Sequence, residues 1–392
     1  LRNALDWLRD HVGPLWERKA GELLRDPWAA RDDYIAVVLD RSAANVQEYF
    51  SRHAVRPLTP EQVISALKLL ELQRNAMLMY TSCGWFFDDL AGIETIQILK
   101  FAGRAVQLAQ ELFGDSLEQQ FVGRLAAARS NLPDEGDGSR IYERRVRPAK
   151  IDLPQLAADY ALGNLLDDFP EQRTIYCYDT RLADQRLFNA GRAKLGVGRI
   201  ELRSQITLES EILIFAALHL GDHNMTASVA RGTMIESFEE LVRRLAEPFN
   251  RADLTAALRE MERSFGGSHY SLQSMFRDEQ RKVLQRILAA NLQEAESMYR
   301  QVYEARAPLM RFITHLAIPL PKGFSMAADF VWNNQMRAAL EQPPFDERRI
   351  LGLLESARLE GIVLDKALLE FAGRQSIERA GGGLSPGPTP AP

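Results

Sequence analysis

The feature that most constrains this chain is a change of period. Up to about residue 130 its apolar residues recur at helical spacing. Between about Thr174 and Arg231 they alternate or run continuously, and after Met234 the helical spacing returns. In Ile200, Leu202, Ser204, Ile206 and Leu208 the inward positions alternate with Arg199, Glu201, Arg203, Gln205 and Thr207, the pattern of a strand with one wet face. The following ILIFAALHL is a continuous apolar run, expected to be a strand buried on both faces. TIYCYDT before and NMTASVA after complete an antiparallel sheet of four or five strands. The fold class expected is therefore mainly α, with α+β character: a helical bundle with an inserted small antiparallel β-sheet.

The helical parts carry their own punctuation. Residues 1–12 read as an amphipathic helix with Leu5, Leu8 and Val12 on one face. Asp26-Pro27 and Ser42 are helix starts, and Thr59-Pro60-Glu61-Gln62 combines a capping Thr, Pro at the next position and Gln three residues after the cap. The helix it opens places Val63, Leu67, Leu70 and Met77 on one stripe and ends near Tyr80. A second long helix runs from about Ile93 to Phe113, with Ile96, Leu99, Gly103, Val106 and Phe113 inward; Ala102 and Gly103 allow close approach of a neighbour. Residues 131–150 read as a surface loop or seam, rich in Gly, Pro and Asp and then in Arg140, Arg144, Arg145 and Arg147. The longest helix is expected from about Asp278 to Ala305, with Leu284, Leu288, Asn291, Ala295, Met298 and Val302 on a buried stripe and Pro308 ending or kinking it. Asp346 caps a later helix with Gly361 just past its end, and the tail from Ala380 reads as disordered.

Composition limits the function classes. In 392 residues, 26% charged with a net charge of -5, there is no basic excess of the kind nucleic-acid binders carry. No run approaches the roughly 18 apolar residues of a membrane span. Two cysteines, Cys83 and Cys177, make neither a disulfide framework nor a thiolate metal site, so a cytoplasmic setting is expected. Leu1 is not a start methionine and no signal-peptide pattern follows it, so the chain reads as part of something longer.

No phosphate-binding Gly-rich loop and no nucleophile elbow occur. Three features remain. In Ser82-Cys83-Gly84-Trp85-Phe86-Phe87-Asp88-Asp89, three aromatics meet two carboxylates between two helices. Aromatic rings stack on the apolar face of a pyranose while carboxylates accept its hydroxyls, so Trp85, Asp88 and Asp89 are candidate saccharide contacts, with Glu94 a turn further on. The competing reading makes Phe86 and Phe87 core plugs and Asp88 or Asp89 a helix cap. In His219-Leu220-Gly221-Asp222-His223-Asn224, His219, Asp222 and His223 are a substrate-facing or structural polar cluster, or a metal set. Phe265 to Leu272, with His269-Tyr270, reads as a helix-joining loop.

The stretches YTSCGWFFDDLAGIETIQILKFAGRAVQLA, LHLGDHNM and YSLQSMFRDEQRKVL resemble a domain of unknown function that follows the catalytic barrel in glycoside hydrolase family 57-like proteins. The resemblance spans about Leu58 to Leu369, with GELLRDPWAARDDYI as connector. It implies residues 1–57 as a helical connector from an upstream catalytic barrel and 58–130 as a helical region with the aromatic corner. A loop and seam at 131–173, a β region at 174–231, a helical region at 232–379 and a tail at 380–392 follow. It further implies action on α-glucans, by hydrolysis or glucan transfer with retention. The catalytic carboxylate pair of such enzymes lies on the barrel, and nothing here alternates strands and helices as a barrel does. The expectation is thus no catalytic residue, no cofactor and no metal in this chain. Trp85, Asp88, Asp89, His219, Asp222 and His223 would complete a substrate site, and the partners would be the barrel and an α-glucan or oligosaccharide. The alternatives are a non-catalytic interaction module, or a metal-dependent enzyme at His219, Asp222 and His223.

Overall fold

The structure is a computed structural model that describes residues 1–114, 116–167, 169–235, 237–267, 269–341 and 346–381. The chain is mainly helical with one six-stranded antiparallel sheet, and it divides into two compact units, Leu1–Val283 and Leu284–Pro392. The glycine- and proline-rich tail lies outside the described residues from 382 onward, as does Ser268.

In the first unit, helix Arg2–Gly21 buries Leu5, Leu8, Val12 and Trp16, the stripe that three- and four-residue spacing creates. The Trp16 indole N–H donates to the carbonyl of Leu69 at 2.9 Å, so this large ring is both buried and satisfied. Residues 1–57, which read as a connector, feed Leu5, Trp16 and Tyr49 into the same core as Leu67, Leu99, Phe121 and Tyr142. Asp26 and Ser42 cap their helices as their sequence positions suggest. At Thr59 the reciprocal capping box forms, Gln62 N–H to Thr59 Oγ1 at 3.3 Å and Thr59 N–H to Gln62 Oε1 at 3.1 Å.

Helix Pro60–Leu78 pairs with helix Ile93–Phe113. Lys68, midway along the first, bonds Glu111, near the end of the second, at 2.9 Å. The inner stripe of the first helix differs from expectation: Met77 is 48% exposed, because the buried side rotates through Leu69, Leu72 and Ala76. Residues 138–149, expected as loop, wind instead into a helical run with a wide π turn at Tyr142–Val146. Gly103 is what lets it dock, since a Cβ there would lie 2.8 Å from Val146 Cγ1. The seam also contains helix Leu153–Asn164, buried from Leu156 through Asn164.

The sheet is a meander of β1 (Gln172–Ile175), β2 (Tyr178–Ala190), β3 (Ala193–Ser204), β4 (Ser210–His219), β5 (Met225–Arg231) and β6 (His269–Ser271), each paired with its neighbours in order. The expected four or five strands become six because TIYCYDT, read as one strand, turns at Tyr176-Cys177 into β1 and β2, and because His269-Tyr270, read as loop, pairs with β5, Tyr270 opposite Ala227. In β4 all residues from Leu213 to Leu218 are buried, as a continuous apolar run demands. Phe215 meets Tyr160 of helix Leu153–Asn164 on one face. Ile214, Ala216 and Leu218 pack with helices Phe238–Asn250 and Leu254–Phe265 on the other. Ile206 and Leu208 do not continue β3. Ser204 Oγ accepts the backbone N–H groups of Ile206 and Thr207, and Leu208 turns into the left-handed region at φ 61°, which ends the alternation.

The boundary between the units falls within helix Arg277–His315, which continues through Pro308. The core of the second unit is Tyr303, Ala307, Met310, Ala328, Val331, Trp332 and Ala357. The stripe expected to be buried upstream of it is not: Leu288 is 58% exposed, Met298 57% and Val302 44%. Asp346 caps helix Glu347–Leu359, and Gly361 follows its end at φ 71°. Among the described residues no helix is long and apolar enough to cross a membrane.

Candidate functional site

The aromatic corner joins the two helices of the hairpin. Its first turn, Ser82–Trp85, lies so close to the next helix that a Cβ on Gly84 would fall 1.8 Å from Ile98 Cδ1. Trp85 is partly buried against the first core, with the Arg2 guanidinium 5.2 Å from its ring centroid. Its indole N–H has no partner among the described residues. Phe86 and Phe87 are not core plugs. They are 82% and 54% exposed and meet edge to face at 5.2 Å.

The two carboxylates play different parts. Asp89 Oδ1 accepts the Ser130 hydroxyl at 2.7 Å and the Asn131 N–H at 3.1 Å, and Oδ2 accepts the Ala91 N–H at 3.0 Å. These bonds, the Ser130 hydroxyl foremost, hold its carboxyl below the usual range. Asp89 therefore ties the corner to residues 130–131. Asp88 is exposed, and among the described residues only its carbonyl is engaged, by the Asn131 amide at 2.6 Å.

His219 ends β4, and Asp222 and His223 lie in the turn that leads to β5. His219 Nε2 bonds the Asp222 carbonyl at 3.0 Å, while its Nδ1 is buried without a partner among the described residues. Asp222 takes a left-handed φ of 50°, and the side chains of Asp222 and His223 are exposed. Among the described residues no group of three or more His, Cys, Asp or Glu side chains is placed to hold a metal ion.

A third place was invisible to motif reading. Where the helical hairpin meets the β1–β2 and β3–β4 turns there is a cavity of about 230 Å³. At about 3.3 Å per strand residue, the ten residues of β4 separate the His219 turn from the β3–β4 turn by roughly 30 Å. The buried carboxylate of Glu71 lies in the cavity wall. It accepts Arg41 at 2.7 Å, Arg74 at 3.1 Å and the Tyr34 hydroxyl at 2.8 Å. Burial works against the charge on Arg41, but the bond to Glu71 prevails and holds its pKa above the usual value. Burial raises the Cys177 thiol against the nearby Arg104 charge, and it pushes the Tyr178 hydroxyl up to about 12, so neither is an anion at neutral pH. A signal was present in the sequence, since Glu71 interrupts the apolar run of LKLLELQRNAML and a carboxylate there must find cationic partners.

Comparison with known families places the chain. It belongs to a family described as a domain of unknown function (DUF3536), matched over residues 1–276. The match takes in the residues before Leu58, in keeping with their place in the core, and stops just short of helix Arg277–His315. No curated protein and no solved structure matches it.

Proposed function

We propose that this chain is the non-catalytic helical part of a glycoside hydrolase family 57-like protein acting on α-glucans, and that its aromatic corner contacts the saccharide. One observation carries the reading: two adjacent phenylalanines stand exposed and mutually braced beside the open carboxylate of Asp88. Exposed aromatic surface is costly in water, and a pyranose offers it an apolar face together with hydroxyls for the neighbouring acid. The sugar platform is then Phe86 and Phe87 rather than Trp85, against whose ring Arg2 already lies. Asp89 shapes the corner instead of touching the ligand. The chemistry of bond cleavage belongs to an upstream barrel, which supplies the carboxylate pair.

Titrating maltoheptaose into the folded protein tests this. Binding that is lost in F86A/F87A, with the unfolding transition unchanged, is the expected result. Equal binding by the double variant overturns it. A second reading rests on the exposure of Ile93 at 78% and Leu132 at 52%, apolar side chains that, like Phe86, a protein partner could cover. That reading predicts no maltodextrin binding by the unaltered chain.

A further inference from the structure

The cavity beside the helical hairpin carries an imbalance of charge that its own residues do not resolve. Arg74, Lys100, Arg104 and Lys150 line it, against Glu71 as the lining carboxylate. Glu71 is engaged by Arg41 and Arg74, and Lys150 is held from outside the cavity by Glu118 at 2.6 Å. Among the described residues Lys100 and Arg104 have no carboxylate within ion-pair distance.

Arg104 is nevertheless held in place. Its Nη1 donates to Gln107 Oε1 at 2.8 Å, and the Gln107 amide nitrogen donates to the Ile151 carbonyl at 3.0 Å. A guanidinium oriented by a neutral amide keeps its full charge and its other N–H donors for a further acceptor. Lys100, Arg104 and Gln107 share one helix face, and like charges four residues apart repel unless an anion lies between them. The opposite wall is the π turn at Tyr142–Val146 and the residues after it, a type of helix irregularity that recurs at functional sites.

We propose that this cavity binds the phosphate group of a small phosphate monoester, with Arg104 and Lys100 as its principal contacts and Arg74 and Lys150 at its margins. A dianion matches two uncompensated cations where a single carboxylate would leave one unmatched. A volume of about 230 Å³ admits a phosphate with a compact organic body, not a polymer. The site is one of recognition, because the neutral Cys177 thiol offers no nucleophile. It is independent of the saccharide reading and lies on different side chains.

Calorimetric titration of the folded chain with inorganic phosphate and with phenyl phosphate, at constant ionic strength, tests it. Saturable binding of one equivalent is expected. R104Q and K100Q should each weaken it by about tenfold, the loss that follows from removing one charge-assisted contact. K366Q, remote in sequence and 88% exposed at its side chain, should leave it unchanged. Should R104Q fail to fold, K100Q alone decides, because Lys100 is exposed and bears no packing role. Non-saturable binding, or affinity indifferent to both variants, overturns the proposal. So does malonate binding tighter than either phosphate, which would make the ligand a carboxylate. Maltoheptaose binding by R104Q should equal that of the unaltered chain, which keeps the two proposals separable.

Discussion

The two units of the chain answer the same sequence pattern differently. In the first, the helical stripe of Leu5, Leu8, Val12 and Trp16 is at most 2% exposed; in the second, Leu288, Met298 and Val302 on an equally periodic helix are 44–58% exposed. A 3.6-residue period establishes that a helix has an apolar face. Whether anything covers that face depends on what packs against it: among the described residues the second unit's core takes in Tyr299 and Tyr303 of this helix, while Leu288, Met298 and Val302 stay exposed.

The sharpest test of the contrast substitutes one residue from each stripe. Trp16→Ala should lower stability by about 3–5 kcal/mol, because it empties a buried indole site and removes the indole's bond to the Leu69 carbonyl. Leu288→Ser should change it by less than about 0.5 kcal/mol. Denaturant titration measures both, and an equal loss at Leu288 would show that its face is covered in solution.

Buried charge gives the next largest effect, again confined to the first unit. Glu71→Leu leaves Arg41 and Arg74 facing each other without an anion and should cost roughly 3–5 kcal/mol. A loss below about 1 kcal/mol, again by denaturant titration, would mean that water or a bound anion replaces the carboxylate.

A pH titration sharpens the comparison further. Burial, against the opposing Phe276 N–H bond and aided by Glu279 and Asp152, raises Asp159 to about 7. Its folded value lies above its unfolded one, so between about pH 4 and 7 the folded state holds the extra proton. Stability should therefore fall as pH rises through that window, by up to roughly 1.4 kcal/mol for each pH unit in which the states differ by one proton, and level off above it. Asp159→Asn should flatten the profile. A profile that keeps its slope in the variant would assign the titration to another group.

Helix caps should behave alike in both units, because a cap acts locally. Thr59→Ala and Asp346→Ala should each cost about 1 kcal/mol, read from the unfolding midpoint of the unit that carries each. A much larger loss at one of them would mean that the cap also positions tertiary contacts.

What could be read from the chain follows the range of the interaction. Thr59 and Gln62 are three residues apart and bond each other, so the box was visible as letters. Ile93–Phe113 was legible to the residue because its period is uninterrupted and glycines flank it. β6 was missed because three residues carry no period and the strand exists only through its pairing with β5. The exposure of Phe86 and Phe87 was missed for a related reason. Gly84 brings the corner so close to Ile98 that no space remains beneath it, and hydrophobicity alone does not report space.

By itself the sequence determined where the capped helices at Asp26, Ser42, Thr59 and Asp346 begin, where the period changes and which strand is buried on both faces, since those depend on contacts within a few residues or on a repeated pattern. Only the tertiary structure decided which apolar faces are covered. It also decided that residues 1–57 join the core, and that Glu71, Arg74, Lys100, Arg104 and Lys150 line one cavity. Those outcomes depend on which surfaces meet across long stretches of chain, and a linear pattern does not encode that meeting.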